Sequence, residues 1–195
     1  MQWDVAPEVR YTMSIDDQNI QVTFMDYSST TVRTADASFS SDIFMRGLGR
    51  AVGIVLLYDI TSLSSFEHIT NQAYAYARMC NRYKAPRGGG NSCEYILVGN
   101  KFDLVENALE KRQVDPDMAE QWAQSQGIKH VEVSSHGLEG PHEAARILIK
   151  SIKRLRERER RHEQAEREQQ RREDGGKNTV RSKIGDIVDK MKSNT

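Results

Sequence analysis

The chain has 195 residues, with 28 Lys and Arg against 28 Asp and Glu and a pI near 7.0. That length holds one sizeable core plus a small appendage, and the balanced charge excludes a global basic field that would draw the whole molecule onto nucleic acid or an anionic membrane. Cys80 and Cys93 fit neither a disulfide framework nor a paired metal motif, and no cationic leader or apolar run of about 20 residues occurs, so a soluble intracellular protein with reduced thiols is expected.

Two strand-like runs come first, Tyr11 to Ile15 and Ile20 to Asp26. Met13, Ile15, Ile20, Val22 and Phe24 alternate, and the polar Asp16-Asp17-Gln18-Asn19 joins the runs into a β-hairpin. Residues 27 to 46 are rich in Ser, Thr and Asp and read as a surface connection. Gly53 to Tyr58 is a short apolar run of the kind found in a strand covered on both faces. The helix after it is expected to use Ser64 and Glu67 as a capping box and to reach about Tyr83.

Arg87 to Ser92 forms a glycine-rich loop, and Tyr95 to Gly99 is a further buried strand followed by a polar loop. Asp115-Pro116 supplies an N-cap with proline at the first helical position, and Gly127 supplies the stop. His130 to Ser134 reads as a short strand. A long helix then starts at Pro141, with Ala145, Leu148, Ile152 and Leu155 on one stripe. Strands alternating with helices imply a doubly wound α/β sheet with helices on both faces.

Past Leu155 the apolar stripe ends. Residues 156 to 174 are almost all Arg, Glu and Gln, with four-residue spacings such as Glu163 to Arg167 that support a solvated helix. Gly175-Gly176 is expected to break it, leaving a last amphipathic segment with Val180, Ile184, Ile187, Val188 and Met191. The organisation expected is therefore a domain over 1–155 and a charged helical tail over 156–195.

Chemistry concentrates after the Tyr95 to Gly99 strand, where ligands of open α/β sheets lie. Asn100-Lys101-Phe102-Asp103 there resembles the guanine-reading Asn-Lys-x-Asp motif of the Ras-like small GTPases. A carboxylate such as Asp103 can accept from the ring N–H and the exocyclic amine of guanine, a pair that adenine does not present together. The Lys101 stem can cover one face of the base, and the Asn100 amide can serve a ring nitrogen while tying loops together. As a bare tetrapeptide the motif fits an ordinary surface turn with a helix cap better than a base-reading loop, because short motifs recur by chance. The context carries the resemblance: Asp59-Ile60-Thr61 with Ser65-Phe66 is similar to the family's segment after the preceding strand. Likewise, Glu132-Val133-Ser134-Ser135-His136 is similar to its Glu-Thr-Ser-Ala-Lys motif. The likeness runs from about Val9 to Leu155 and adds Ser134, Ser135 and His136 to the guanine-binding set, with His136 in place of the usual lysine.

The resemblance also implies GTP or GDP as ligand, Mg²⁺ as its companion, a signalling role, and effector or regulator proteins meeting the hairpin region over residues 4–26. Asp26 matches the carboxylate that holds Mg²⁺ through water; a plain strand-ending carboxylate is the competing reading. Thr30 stands where the family has the water-orienting glutamine, and is too short for that role. The family's Mg²⁺-binding threonine falls near Asp4. No Gly-x-x-x-x-Gly-Lys-Ser/Thr occurs in the 195 residues, and Gly88-Gly89-Gly90, Gly175-Gly176-Lys177 and Gly47-Leu48-Gly49 lack its context.

Compared with the family, the chain reads as truncated at its start or degenerate, with about five strands and without the first. That first strand is expected to leave a gap between the strands of Val22 to Asp26 and Gly53 to Tyr58 on one side and Tyr95 to Gly99 on the other. Two functions follow: a guanine-nucleotide-binding signalling protein, or a pseudo-GTPase that serves as a protein interaction module without turnover. No cysteine for prenylation lies in Lys192 to Thr195, and Glu157 and Glu159 dilute the basic residues from Lys150 to Arg161. A cytoplasmic location is expected, with the inner membrane surface as the secondary one.

Overall fold

A computed structural model describes residues 8–27, 47–84, 93–136 and 139–192, with side chains described up to residue 171 except at 82–84. Contacts divide the chain into two units, Met1–Lys153 and Arg154–Thr195.

The first unit opens with a hairpin of β1 (Glu8–Ile15) and β2 (Gln18–Met25), paired antiparallel from Glu8↔Met25 to Ile15↔Gln18. Its turn is the two-residue Asp16-Asp17, shorter than the four-residue connection expected, and both aspartates have positive φ, 50° and 60°. Asp tolerates that left-handed geometry, whose twist matches the strands it joins.

Three strands then form one parallel sheet in the order β3 (Gly53–Asp59), β4 (Glu94–Asn100), β5 (Lys129–Glu132). Pairing of β3 with β4 runs unbroken from Gly53↔Glu94 to Asp59↔Asn100. The gap expected between these two strands is therefore absent. The discontinuity lies between the hairpin and β3, which belong to separate sheets. The α/β class stands, and among the described residues there are five strands, divided two and three.

Helices cover both faces of the parallel sheet. On one face, Leu56, Tyr58 and Leu97 pack with Phe66, Ile69 and Tyr74, and with Val114, Ala119 and Ala123. Phe66 belongs to α1 (Leu63–His68), Ile69 to a π-turn over Ile69–Ala73, and Tyr74 to α2 (Tyr74–Lys84). The N-cap of α1 is Ser62, whose side chain accepts from Ser65 N–H, two residues before the expected Ser64. Ser62 wins because its hydroxyl sits three residues ahead of a free N–H of the first turn. The polar loop after β4 contains α3 (Phe102–Glu106), which sequence periodicity misses because five residues make barely one turn. Asp115 caps α4 (Pro116–Gln126) by accepting from Asp117 N–H, and Gly127 ends it at φ +70°.

The other face is covered by α5 (Glu139–Lys192), whose Ala144 and Leu148 pack on Ile96, Val98 and Val133. Ala145 and Ile149, one residue on, receive Met13 and Ile15 of the hairpin. Thus one helix stripe joins two sheets that no backbone ladder joins.

In the second unit α5 continues through Gly175-Gly176 to Lys192, so the expected break does not occur. Each glycine costs about 1 kcal/mol relative to alanine in a helix, which weakens the element without forbidding it. Arg156–Glu159 at 2.9 Å, His162–Glu166 at 3.4 Å and Glu163–Arg167 at 3.7 Å lie along its surface. Among the described residues no helix is long and apolar enough to cross a membrane, and Cys80 and Cys93 form no disulfide.

Candidate functional site

The ends of β3, β4 and β5 bring three loops together. Gly99 closes β4 where a Cβ would lie 2.8 Å from both Ile60 Cγ2 and the Tyr58 hydroxyl, so only glycine lets the strand end this close to its neighbour. Asn100 follows at the strand's last position, and Ile60 N–H donates to its carbonyl at 3.2 Å. Lys101 turns the chain with φ 68° and ψ 31°, a left-handed conformation rare in lysine, and places Asp103 in the first turn of α3.

The β5 loop closes against this turn by backbone and side-chain bonds. Val133 N–H donates to Gly99 O at 2.7 Å, and Phe102 N–H donates to Val133 O at 3.2 Å. Ser134 Oγ donates to Asp103 Oδ1 at 2.7 Å and accepts from His136 N–H at 3.0 Å. Ser135 N–H donates to Asn100 Oδ1 at 3.1 Å. Asn100, Asp103, Ser134, Ser135 and the His136 backbone therefore stand together. Gly140, at the start of α5, seals the loop from behind, where a Cβ would lie 2.8 Å from Ser134 O.

Lys101 is tied in the other direction. Its Nζ lies 2.6 Å from Asp59 Oδ2 at the end of β3, while Asp59 Oδ1 accepts from Thr61 N–H at 2.9 Å and Thr61 Oγ1 at 2.7 Å. Burial works to raise the Asp59 carboxyl, but the hydrogen bonds from Lys101 and Thr61 outweigh it and hold the group below the usual carboxylate value. The bond to Asp59 raises Lys101 above the ordinary lysine value. Ser65 Oγ accepts from Asp59 N–H at 2.9 Å and fixes the backbone beneath the carboxylate.

A second tie sits one layer below. Arg112 grips Glu132 with both guanidinium ends, at 2.6 and 2.7 Å, and reaches Val114 O at 3.2 Å, anchoring the segment between α3 and α4 to β5. The hydrogen bond to Glu132 raises the Arg112 pKa. The sequence singled out the residues that meet at this corner but not these ties. The Asp59-x-Thr61 spacing, at which an aspartate captures the N–H two residues on, is the signal that marks Asp59 as an anchor.

The remaining expected residues stand elsewhere. Asp26 is exposed just past the end of β2, and among the described residues no group of three His, Cys, Asp or Glu could hold a metal. Thr30 and Asp4 lie outside the described residues, as do Gly88 to Gly90.

Residues 8–154 match the family model described as the Ras family. Among similar proteins, GTP-binding protein YPTM1 of Zea mays is 34% identical over 103 residues, 53% of this chain and 43% of that protein. Ras-related protein Rab-8A of Gallus gallus is 33% identical over 128 residues, 64% and 50% of the respective chains. GTP-binding protein Rheb homolog 1 of Caenorhabditis elegans is 26% identical over 152 residues, 76% and 67%. The chain thus spans about half the length of the first two of these curated relatives and two thirds of the third.

Proposed function

The chain belongs to the Ras family, and from that premise we propose that it recognises the guanine base of GTP or GDP with the loops after β4 and β5, as a signalling protein. The observation that carries this reading is the pair of bonds that cross between those loops, Ser134 to Asp103 and Ser135 to Asn100. Ser134 occupies one lone pair of Asp103 Oδ1 and so orients the carboxylate, leaving its other lone pairs to accept the ring N–H and exocyclic amine of guanine. Asn100 spends its oxygen on Ser135 N–H and keeps its amide hydrogens for a ligand. The same Ser135 N–H is the donor expected at the guanine carbonyl, so it must be shared between Asn100 and the base when a nucleotide binds. Lys101 covers one face of the ring with its stem. His136 is exposed and closes the site less tightly than a lysine with a long stem.

Phosphate recognition is the weaker half for these 195 residues. They carry no Gly-x-x-x-x-Gly-Lys-Ser/Thr, whose backbone N–H groups and lysine supply charge-assisted bonds to the phosphates, and Thr30 is too short to orient water. Of the nucleotide, the base is the part that these 195 residues are equipped to read. Interaction with effector or regulator proteins through the hairpin region is the second reading, favoured by the exposed Val9, Tyr11, Phe24 and Met25 on β1 and β2. A cytoplasmic location, a domain over 1–155 and a charged tail over 156–195 accompany both readings.

Titration calorimetry with GDP, guanosine and adenosine tests the base reading. Guanosine and GDP should bind with similar, weak affinities, adenosine should not bind, and Asp103→Ala should abolish the difference. Nanomolar GDP affinity, or Mg²⁺-dependent phosphate release from GTP that Asp103→Ala removes, would overturn the proposal that this chain reads the base alone.

A further inference from the structure

Asn100 and Asp103 are tied to the loop after β5, whereas the Lys101 side chain is held from the opposite side, by Asp59 at the end of β3. An exposed lysine normally keeps its stem mobile, and a base that stacks on it must immobilise that stem at binding. Here the head is already fixed. Asp59 Oδ2 takes Lys101 Nζ at 2.6 Å, and Asp59 cannot follow a wandering ammonium because its other oxygen is locked by two bonds from Thr61. The backbone on both sides of the bridge is equally constrained. Asp59 and Asn100 are register partners at the ends of β3 and β4, and Lys101 leaves β4 in the left-handed region.

With both ends of the side chain fixed, the stem spans from the β4 end to the β3 end. The side chains are 45% and 23% exposed for Lys101 and Asp59. At that exposure an ion pair adds little to folding, so the consequence of the bridge lies in where it puts the stem.

We infer that Asp59 is a positioning residue for nucleotide recognition: locked by Thr61, it holds the Lys101 stem stretched as a preformed apolar wall for one face of the base. This deepens the guanine reading and rests on it. Asp59 touches no ligand and acts only through Lys101. Thr61 is the second layer of the same device, since releasing Asp59 Oδ1 lets the carboxylate turn and the ammonium follow.

Two measurements on the full chain test this. In the first, without ligand, lysine ammonium groups are observed by ¹H–¹⁵N NMR at low temperature. One signal should be protected from solvent exchange in the wild type and lost in Lys101→Ala, which assigns it, and in Asp59→Asn. In the second, guanosine binding is followed by amide shifts in the wild type, Asp59→Asn, Lys101→Ala and the double variant. Immobilising one long side chain is worth about two- to tenfold in affinity, so Asp59→Asn should weaken guanosine by that factor. In the Lys101→Ala background Asp59→Asn should have no further effect, and Thr61→Val should reproduce part of the Asp59→Asn loss only while Lys101 is present.

A purely structural role for Asp59 predicts equal losses in both backgrounds, and that result overturns the inference. So does an unprotected Lys101 ammonium in the wild type. Guanosine binding that depends on Asp103 but shows no coupling between Asp59 and Lys101 removes this inference and leaves the guanine reading standing. A wild type that binds no guanosine while its Lys101 ammonium remains protected removes the guanine reading, and the recognition role of Asp59 with it.

Discussion

The corner at the ends of β3, β4 and β5 and the hairpin are built on opposite plans. The corner is one continuous ladder: β3, β4 and β5 pair without a break, and side chains from Asp59 to Ser135 cross from each strand end to the next. The hairpin has its own ladder and meets the rest of the first unit by side chains, Met13 and Ile15 on Ala145 and Ile149, with Asp16 and Gln18 reaching Lys150 and Lys153. Between the two plans β3 carries apolar side chains that stay partly exposed among the described residues. Val55 and Leu57 are 40% and 51% exposed, although their register partners Ile96 and Val98 are 0% and 2% exposed beneath α5. The comparison teaches that the loops proposed to read the base are held by short-range bonding inside one sheet, on a ladder separate from that of the hairpin.

The largest expected effect breaks the corner. Leu97 is fully buried in the middle of β4, and Leu97→Ala shrinks the core cluster it shares with Leu56, Phe66 and Ala119. A loss of about 2–5 kcal/mol in denaturant unfolding is expected, with the loops at the strand ends losing order together. Ile15→Ala, on the hairpin side, should cost about 2–4 kcal/mol locally. Amide exchange should rise over residues 8–25, while Val133 N–H and Ser135 N–H keep their protection. Equal exchange in both regions after Ile15→Ala would mean that the two plans are coupled after all.

A smaller effect tests the corner's internal ties. Arg112→Ala leaves Glu132 part-buried without its bidentate partner, and about 1–3 kcal/mol of stability should be lost. Ser134→Ala leaves the fold intact but frees the Asp103 carboxylate, and guanosine affinity should fall about three- to tenfold, the equivalent of one net hydrogen bond. Calorimetry on that variant sharpens the distinction between orienting the carboxylate and contacting the base.

How much of this was legible in sequence differs between the same two regions. The strand ends of the corner follow apolar runs bounded by Gly99-Asn100 and Glu132-Val133, and Asp115, Pro116 and Gly127 mark α4 by local rules that tertiary contacts did not override. The split between the hairpin and β3 was not legible, because alternation reports which face of a strand is buried and not which neighbour it pairs with. Reading the gap into the space between β3 and β4 came from the resembled fold, and their seven-residue register corrects it. The Asp59–Lys101 bridge joins residues 42 positions apart in sequence terms, and only the register of β3 on β4 brings them together. Continuation of α5 through Gly175-Gly176 shows that glycine lowers helix stability by an amount the flanking turns can absorb, whereas proline would have removed a bond outright.

The smallest expected effect concerns the hairpin tip, where charge supplements packing. Asp16 lies 3.2 Å from Lys150 and 3.8 Å from Lys153, at a turn whose left-handed backbone aims the carboxylate toward α5. The hydrogen bond from Lys150 lowers the Asp16 carboxyl below its usual value of 3.8, against a small opposing effect of burial. A depressed folded value means that the stabilising contribution is complete above pH 3.8 and fades as the pH falls through the lower folded value. These charges are exposed, so salt screens them and the contribution stays small at physiological ionic strength. Asp16→Asn should therefore raise hairpin exchange slightly at neutral pH and low salt, and the difference from wild type should vanish with added salt or once the pH falls below the lowered folded value. Exchange at residues 8–25 that responds to neither salt nor acid in the wild type would show that Met13 and Ile15 hold the hairpin by packing alone.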